Sequence, residues 1–191
     1  MTVQNDAQHG PQPADMPVSQ PDEQPSLADR LRAGAPGASD ELVAEYRPAL
    51  VRFAYGYLGD AAAAEDAAQD VLMKALDASS TPDAIRPWLY RVARNHCLNL
   101  IRNRRVRGEE ALPERPTFAD SCTGHLTRLV RMENEAQLRA RVDSLTHDQR
   151  EVLELRYGED LSRDEIAHVL DLPPSVVKSR IYEAMKRLRD A

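Results

Sequence analysis

The feature that most constrains the fold is a pair of short amphipathic helices predicted between residues 161 and 190. Ser162 and Glu165 have the spacing of a capping box, in which each side chain accepts a hydrogen bond from the backbone N–H of the other residue at a helix start. The apolar residues that follow recur at helical spacing. Pro173 and Pro174 end this helix, because a proline forces the residue before it out of the helical region.

The second helix of the pair carries its apolar and its basic side chains on different faces. The apolar face holds Val177, Ile181, Ala184, Met185 and Leu188, and the basic residues are Lys178, Arg180, Lys186, Arg187 and Arg189. Two short helices joined by a tight turn, the second of them basic, are typical of a helix-turn-helix whose second helix enters the DNA major groove. An ordinary helical hairpin with a solvated charged face would show the same pattern.

Composition narrows the class of protein. The chain has 191 residues, which allows one or two domains, and its formal net charge of −6 argues against a wholly basic nucleic-acid coat protein while permitting local basic faces. No apolar run approaches the roughly 18 residues that span a bilayer, and the N-terminus lacks the pattern of a signal peptide. Two cysteines without framework spacing suit a reducing compartment. We therefore expect a soluble cytoplasmic protein without membrane insertion.

The chain divides into a tail, two helical domains and a linker. Residues 1–38 are rich in Pro, Gln, Ala, Asp and Ser and are predicted to be disordered, since they cannot bury enough surface to offset their ordering entropy. Helical periodicity covers residues 39–107 and returns over residues 126–191, where Thr146 and Gln149 form another capping box. Residues 108–125 contain prolines and acidic residues and are predicted to form a linker. The predicted fold is therefore all-α, with two small helical domains joined by a flexible linker.

A predicted helix after Asp60 carries a cluster of acidic and amide side chains. Spacings of three and four residues place Asp66, Gln69 and Asp70 on one face of this helix. Such a face is either solvated or a docking surface for a basic partner.

The helix predicted between residues 84 and 106 is rich in arginine and has no acidic residue. Its arginines, together with the one that follows it, are Arg86, Arg91, Arg94, Arg102, Arg104, Arg105 and Arg107. Arginines at this density supply the phosphate contacts that dominate affinity for nucleic acid. The interleaved Trp88, Asn95 and Asn99 could hold or read an unstacked base. A core position for Trp88, and arginines balanced by the acidic residues between 65 and 70, are the alternative interpretations.

No metal, cofactor or catalytic site is predicted. His96 and Cys97 are adjacent and so point in different directions from a helix, although Cys122 and His125 could complete a Cys2His2 set. No phosphate-binding glycine loop, nucleophile elbow or paired catalytic carboxylates are present in the sequence, which indicates a protein that is not an enzyme and has no small-molecule substrate. Whether Cys97 or Cys122 senses oxidants is left open by the sequence.

Four motifs in order give this chain a resemblance to bacterial RNA polymerase sigma factors of the extracytoplasmic-function type. The motifs are Leu58-Gly59-Asp60 with the stretch from Glu65 to Asp70, the stretch from Trp88 to Asn95, the stretch from Gln149 to Tyr157, and Glu165-Ile166-Ala167 with the stretch from Val177 to Arg180. They resemble the start of sigma domain two, its DNA-facing helix, the support helix of domain four and the helix-turn-helix of domain four. The likeness covers the chain from about residue 40 to residue 190.

The resemblance implies a role for each of these surfaces. Asp66, Gln69 and Asp70 match the face that docks on core RNA polymerase. The residues implied to engage the −10 promoter element, where a base is flipped and the strands part, are Trp88, Arg91, Arg94, Asn95, Asn99, Arg102, Arg104 and Arg105. The residues implied to read the −35 element in the major groove are Ser175, Val176, Lys178, Ser179, Arg180, Glu183, Lys186 and Arg187.

The resemblance also implies the partners of this chain, and it is incomplete at the turn of the helix-turn-helix. Core polymerase and promoter DNA are expected partners, and an anti-sigma factor is common in the family, although no residue here identifies one. Asp171, Ser175 and Val176 replace the glycine, glycine and threonine usual in the family's turn, so the promoter sequence cannot be inferred from relatives. The alternatives are a stand-alone helix-turn-helix regulator that binds an operator, and a protein-binding adaptor.

Overall fold

The computed structural model describes residues 25–77, 82–108 and 135–190, and over these ranges the regular secondary structure is helical. The helices are α1 (Leu27–Arg32), α2 (Ala38–Leu58), α3 (Ala61–Leu76), α4 (Ile85–Val106), α5 (Glu135–Ser144), α6 (His147–Leu153), α7 (Arg163–Leu170) and α8 (Pro174–Asp190). A π-helical turn, Glu154–Gly158, continues α6. The all-α prediction is confirmed.

Helix α1 lies within the segment that the sequence assigns to a disordered tail. Ser26 caps this helix by accepting a hydrogen bond from the backbone N–H of Asp29 at 3.1 Å, and Ala28 and Leu31 are buried. The disorder prediction is therefore wrong for residues 27–32, because Leu27 and Leu31, one turn apart, give this stretch enough apolar surface to pack on the first domain. Residues 1–24 of the predicted tail lie outside the described residues.

Helices α2, α3 and α4 form the body of the first domain. Gly59 ends α2 in the left-handed conformation, and the Asp60 carboxylate caps α3 by accepting from the N–H of Ala63 at 2.7 Å. The core between the three helices contains Phe53. Its ring makes edge-to-face contacts with the rings of Tyr57 and Tyr90, and the ring centroids are 5.2 Å apart in each pair. This stack places the two tyrosine hydroxyl groups toward the second domain.

The second domain is built on helices α5 to α8. The predicted capping box of α6 is present: the N–H of Gln149 donates to Thr146 Oγ1 at 3.3 Å, and the N–H of Thr146 donates to Gln149 Oε1 at 3.1 Å. A separate small apolar cluster joins α5, α6 and α8 through Val142, Leu145, Leu153, Ala184 and Leu188. The helix expected from residue 126 is described only from Glu135, and residues 109–134 lie outside the described ranges.

The two domains pack directly against each other. Val152, Leu155, Ile166 and Val177 of the second domain belong to the same buried apolar cluster as the core of the first domain. Helix α7 contacts both α4 of the first domain and α8 of its own domain. The sequence predicts two domains, but it does not predict this shared core.

Asp171 fixes the turn of the helix-turn-helix in an unusual backbone conformation. It ends α7 with φ of 57° and ψ of 47°, in the left-handed region, and its N–H donates to the carbonyl of Ala167. Left-handed backbone costs roughly 1–2 kcal/mol for residues with a Cβ, and Asp tolerates it better than most. Glycine, expected here from the resemblance, would adopt it without that cost.

We therefore predict that the free energy of unfolding of Asp171→Gly equals or exceeds that of the parent, and that Asp171→Val lowers it by about 1–2 kcal/mol relative to Asp171→Gly. Urea unfolding followed by circular dichroism measures both. Ser175, in the first turn of α8, is the control position, because Gly is no better than Val where the backbone is helical. Equal stability of the Gly and Val variants at position 171 would show that the left-handed conformation is not required.

Candidate nucleic-acid interface

The helix-turn-helix is held by the capping box that the sequence predicts. The N–H of Glu165 donates to Ser162 Oγ at 3.2 Å, and the N–H of Ser162 donates to Glu165 Oε2 at 2.8 Å. Ile166, Val169 and Leu170 of α7 are buried, so this helix faces inward and supports α8.

Helix α8 presents one face to the core and another to solvent. Val177, Ala184 and Leu188 are buried. The residues expected to read the −35 element lie on the other sides of the helix; those that are exposed are Ser175, Val176, Lys178, Ser179, Glu183, Lys186 and Arg187, while Arg180 is half-buried. The structure therefore gathers these eight residues on a single helix with most of their side chains open to solvent.

Two of the arginines on α8 are anchored to α6. Arg180 forms an ion pair with Asp148, with 2.9 Å between Nη2 and Oδ2, and Arg187 Nη1 donates to Gln149 Oε1 at 3.3 Å. These contacts orient both guanidinium groups, and Arg187 remains exposed, as do Lys178 and Lys186. We call the solvent-exposed side of α8 that carries these residues the outward face of α8.

Tyr182 is a residue of this face that the sequence reasoning missed. Its side chain is 62% exposed, which is unusual for an aromatic ring on an amphipathic helix. Lys178, Tyr182 and Lys186 follow one another at a spacing of four residues, so they form one row along the helix. That spacing is the signal in the sequence that could have identified Tyr182.

Helix α4 also carries a row of candidate contacts. Trp88, Arg91, Asn95, Asn99 and Arg102 are separated by three or four residues and so share one face of the helix. Asn95, Asn99 and Arg102 are exposed, and Arg91 is half-buried. Trp88 is half-buried and packs against the apolar core, so the core position considered for it is partly confirmed. We call this row the outward face of α4. Of the remaining candidates, Arg104 is half-buried and Arg105 exposed, both near the C-terminal end of the helix.

Arg94 points away from the outward face and binds the second domain. Its Nε and Nη2 donate to Oε1 and Oε2 of Glu151 at 2.6 and 3.3 Å, and the Glu151 side chain is only 1% exposed. Burial alone would lower the pKa of Arg94, but the hydrogen bond and the charge of Glu151 outweigh burial and raise that pKa. Tyr57 also donates its hydroxyl proton to Glu151.

Glu159 of the second domain makes the same kind of contact with the first domain. Arg52 Nε and Nη2 donate to its two carboxylate oxygens at 3.1 and 2.8 Å, and the hydroxyl of Tyr90 donates to Oε2 at 2.6 Å. Arg86 Nη2 donates to the backbone carbonyl of Glu159 at 2.6 Å. Burial and these carboxylates raise the pKa of Tyr57 and of Tyr90, so both hydroxyl groups remain donors.

The acidic residues next to Arg94 and Arg86 come from the second domain: Arg94 pairs with Glu151, and Arg86 Nη1 lies 3.9 Å from a carboxylate oxygen of Glu165. The alternative expected from the sequence was balance by the acidic stretch between residues 65 and 70, but Glu65 pairs with Arg47 at 2.6 Å, and Asp70 lies 3.4 Å from His96. Asp66, Gln69 and Asp70 are all exposed on α3. The predicted acidic docking face is thus open to solvent.

The possible metal and redox residues do not come together in the described parts of the chain. Cys97 is fully buried, and burial raises the pKa of its thiol to about 12. Among the described residues, no group of three His, Cys, Asp or Glu side chains could hold a metal ion. Cys122 and His125 lie outside the described ranges.

Two helical domains, one with a helix-turn-helix and one with an arginine-rich helix, define a class of DNA-binding protein. The Sigma-70 region 2 family matches residues 42–107, and the Sigma-70, region 4 family matches residues 135–188. The chain belongs to the sigma-70 family of RNA polymerase sigma factors, in its extracytoplasmic-function branch. The match of the first domain to region 2 favours this interpretation over a stand-alone helix-turn-helix regulator.

Curated relatives support this assignment over most of their length. The RNA polymerase sigma-H factor of Pseudomonas aeruginosa is 30% identical over 178 residues, which cover 86% of this chain and 91% of that protein. The ECF RNA polymerase sigma factor SigL of Mycobacterium tuberculosis is 32% identical over 155 residues, 76% of this chain and 83% of that protein. The ECF sigma factor SigW of Bacillus subtilis is 26% identical, with 84% and 91% covered.

Solved structures share the fold. CnrH, solved in complex with the cytosolic domain of CnrY, has a TM-score of 0.59 and 26% identity, with 85% of this chain and 92% of that chain covered. The sigma factor RpoE of Bartonella quintana, solved with the anti-sigma factor NepR, has a TM-score of 0.58 and 22% identity, with 81% and 96% covered. Within the part of this chain that the structure describes, no helix is long and apolar enough to cross a membrane.

We predict that Cys97 does not act as an exposed redox sensor in the folded protein. At pH 8 a thiol with a pKa of about 12 is almost entirely protonated, and the thiolate is the reactive form. Iodoacetamide should therefore leave Cys97 unmodified under native conditions and label it in urea, as peptide mass spectrometry would report. Cys122 in the same sample serves as the comparison. Native labelling of Cys97 within minutes would contradict its burial.

Proposed function

We propose that this sigma factor reads the −10 element with the outward face of α4, reads the −35 element with the outward face of α8, and binds core polymerase through Asp66, Gln69 and Asp70 on α3. The observation that carries the proposal is the row of Trp88, Arg91, Asn95, Asn99 and Arg102 on one side of α4, in the region-2 domain. It combines an aromatic ring, amides and guanidinium groups along one helix.

Each group in this row suits a step of strand opening. Unstacking a base costs a few kcal/mol, and a pocket that binds the flipped base offsets this cost. Asn95 and Asn99 can hydrogen bond to base edges, the Trp88 ring can stack on a base, and the arginines can hold phosphates. The face therefore has the chemistry to hold a separated strand.

The outward face of α8 suits a double-stranded major groove. Lys178 and Lys186 can bind phosphates, while Ser175 and Ser179 can donate to or accept from base edges. Val176 is 36% exposed and has no hydroxyl group, so its contact would be apolar, as with the methyl group of thymine. Tyr182, between the two lysines, adds an aromatic contact to this set.

The protein acts in this proposal by binding alone, in the cytoplasm with the polymerase, and needs no cofactor or small-molecule substrate. Because the sigma factor RpoE of Bartonella quintana was solved with the anti-sigma factor NepR, we also propose that an anti-sigma factor binds this chain.

Run-off transcription tests the main proposal. Core polymerase is incubated with and without this protein on genomic fragments, including the region upstream of its own gene. New, sequence-specific transcripts are expected only with the protein, and they locate the promoter directly. Stable core binding without transcripts on any fragment would contradict promoter recognition.

We predict that Arg180→Ala weakens binding of the holoenzyme to that promoter by about 1–3 kcal/mol if Arg180 reads a base, with reduced discrimination at one −35 position. If Arg180 holds a phosphate, the loss is uniform across sequences. Competition footprinting against single-base variants of the −35 element measures both quantities.

Asp148→Ala is the matched control, because it breaks the same ion pair but keeps the guanidinium group. It should leave promoter affinity near that of the parent. Equal losses in the Arg180 and Asp148 variants would mean that the ion pair only supports the helix and that Arg180 does not touch DNA.

We predict that Asp66→Lys and Asp70→Lys each weaken core polymerase binding at least tenfold, about 1.4 kcal/mol, without unfolding the protein. Charge reversal places a cation against a basic partner, and like charges at an interface are repulsive. Fluorescence anisotropy with labelled protein measures the affinity. Asp143→Lys, an exposed reversal in the second domain, is the control, and parent-like core affinity in the α3 variants would remove this face from the interface.

A further inference from the structure

Helix α8 carries one carboxylate among the eight residues expected to read the −35 element, and it belongs to Glu183. Four of the other seven residues are lysine or arginine, two are serine and one is valine. DNA carries a negative charge about every 1.7 Å along its axis, so phosphates repel a carboxylate and attract the cations. A role for Glu183 on a DNA-facing surface must therefore come from a contact other than phosphate.

Glu183 lies between two cations on the outward face of α8. Arg180 precedes it by three residues and Lys186 follows it by three, so the two lie about 60° from Glu183 around the helix axis, on opposite sides. The buried Val177 is about 120° away. Cations on both sides suit the two phosphate backbones that border a groove. The carboxylate between them then faces the base edges.

Glu183 also lines a concavity in the surface of α8. This concavity has a volume of about 310 Å³ and is lined by Ser175, Val176, Ser179, Arg180 and Glu183. Steps of three and four residues connect these positions, which makes them neighbours on one side of the helix. Two hydroxyl groups, an apolar side chain, a guanidinium group and a carboxylate thus lie side by side. This set offers both donors and acceptors to a base pair.

The carboxylate of Glu183 is available to a ligand. The side chain is exposed, and within the ranges that the structure describes it takes part in no hydrogen bond and no ion pair. Arg180, one turn earlier on the same helix, pairs with Asp148 of α6 instead, with 2.9 Å between Nη2 and Oδ2. Glu183 can therefore bind a donor on DNA without first breaking a contact in the described part of the protein.

Cytosine has the base edge that suits this carboxylate. An ionised glutamate has acceptors and no donor. In the major groove cytosine presents the N4 amino group, a donor, whereas guanine and thymine present acceptors. Adenine presents the N6 amino group together with the acceptor N7, and N7 repels a carboxylate placed beside it. A glutamate on the outward face of α8 therefore favours cytosine over the other three bases.

We propose that Glu183 is a specificity-determining residue of this sigma factor, and that its carboxylate accepts a hydrogen bond from the N4 amino group of one cytosine in the −35 element. This proposal rests on the proposed function of α8 and deepens it. It assigns a C·G pair to one position of the −35 element, where the resemblance to the family gives no promoter sequence.

Loss of the carboxylate tests the assignment at every −35 position. Holoenzyme made from core polymerase and the full chain is bound to the run-off promoter, and fragments with each single base-pair change in the −35 element compete for it. The parent should prefer C·G over each other pair by about fivefold or more at one position. Glu183→Ala should lose this preference at that position only. A parent without such a position, or an alanine variant that keeps the preference, would overturn the proposal.

Glu183→Gln tests the hydrogen bond through a gain of recognition. The amide has nearly the same shape as the carboxylate, but its donor and acceptor match N7 and N6 of adenine. At the position identified with the alanine variant, the glutamine variant should prefer A·T over C·G by about fivefold or more. Glutamine and glutamate have similar helix propensities, so circular dichroism should show parent-like helix content. A folded glutamine variant that still prefers C·G would overturn the proposed hydrogen bond.

Asp143→Asn is the matched control for charge. Asp143 is exposed on α5 in the same domain, and its substitution removes one negative charge, as Glu183→Gln does. A change in net charge alters affinity for all DNA sequences alike, because it acts through the phosphates. The control should therefore keep the base preference of the parent at each −35 position. Glu183 variants that bind every fragment more tightly by the same factor would show that Glu183 only repels phosphate, which would also overturn the proposal.

The proposed function of α8 and the role of Glu183 fail in different ways. If no base-pair change in the −35 region alters the binding of the parent, α8 does not read that element, and the parent protein alone shows this. If several changes weaken binding of the parent but no position responds to substitution of Glu183, α8 still reads the element and only the cytosine contact of Glu183 is wrong.

Discussion

Burial of two charged carboxylates is the constraint on which the arrangement of this molecule depends. Removing a carboxylate from water costs several kcal/mol unless charged and hydrogen-bonding partners replace the solvent. Within the described ranges of the chain, Glu151 and Glu159 each receive a guanidinium and a phenol, all from the first domain. Removing one partner from such a buried pair typically costs about 3–5 kcal/mol. The second domain therefore has one favoured position on the first.

That position decides which parts of α4 and α8 remain exposed. Helix α4 turns Arg94 toward Glu151 and leaves Asn95, Asn99 and Arg102 facing solvent. Helix α8 buries Val177 and exposes the row that contains Tyr182. A sigma factor must both bind two distant DNA segments and remain a stable chain when no polymerase is present. Between the domains, the buried charged contacts accompany a shared apolar core that includes Leu155 and Ile166.

Local features of the structure follow from short-range sequence signals. The helix caps at Asp60, Thr146 and Ser162 can be predicted from the sequence, because each capping hydrogen bond joins residues that are three apart. The periodicity of the apolar residues predicts where the helices lie. The same reasoning missed α1, where composition outweighed a short apolar repeat, and it missed Tyr182, because an aromatic residue is normally assigned to a core. The division into two domains and the family can also be predicted from the sequence, because four motifs occur in the order that the family shows.

The sequence by itself determined the helices, their caps, the helix-turn-helix and the membership in a family of sigma factors. These properties depend on residues that lie close together in the chain. Only the tertiary structure decided which acidic groups neutralise Arg86 and Arg94 and which arginines face solvent. The arginines and tyrosines that donate to Glu151 and Glu159 lie 57 to 107 residues from them in the chain, and no local pattern links them. Their pairing depends on three-dimensional packing, in which burial makes one choice of partners far more favourable than the others.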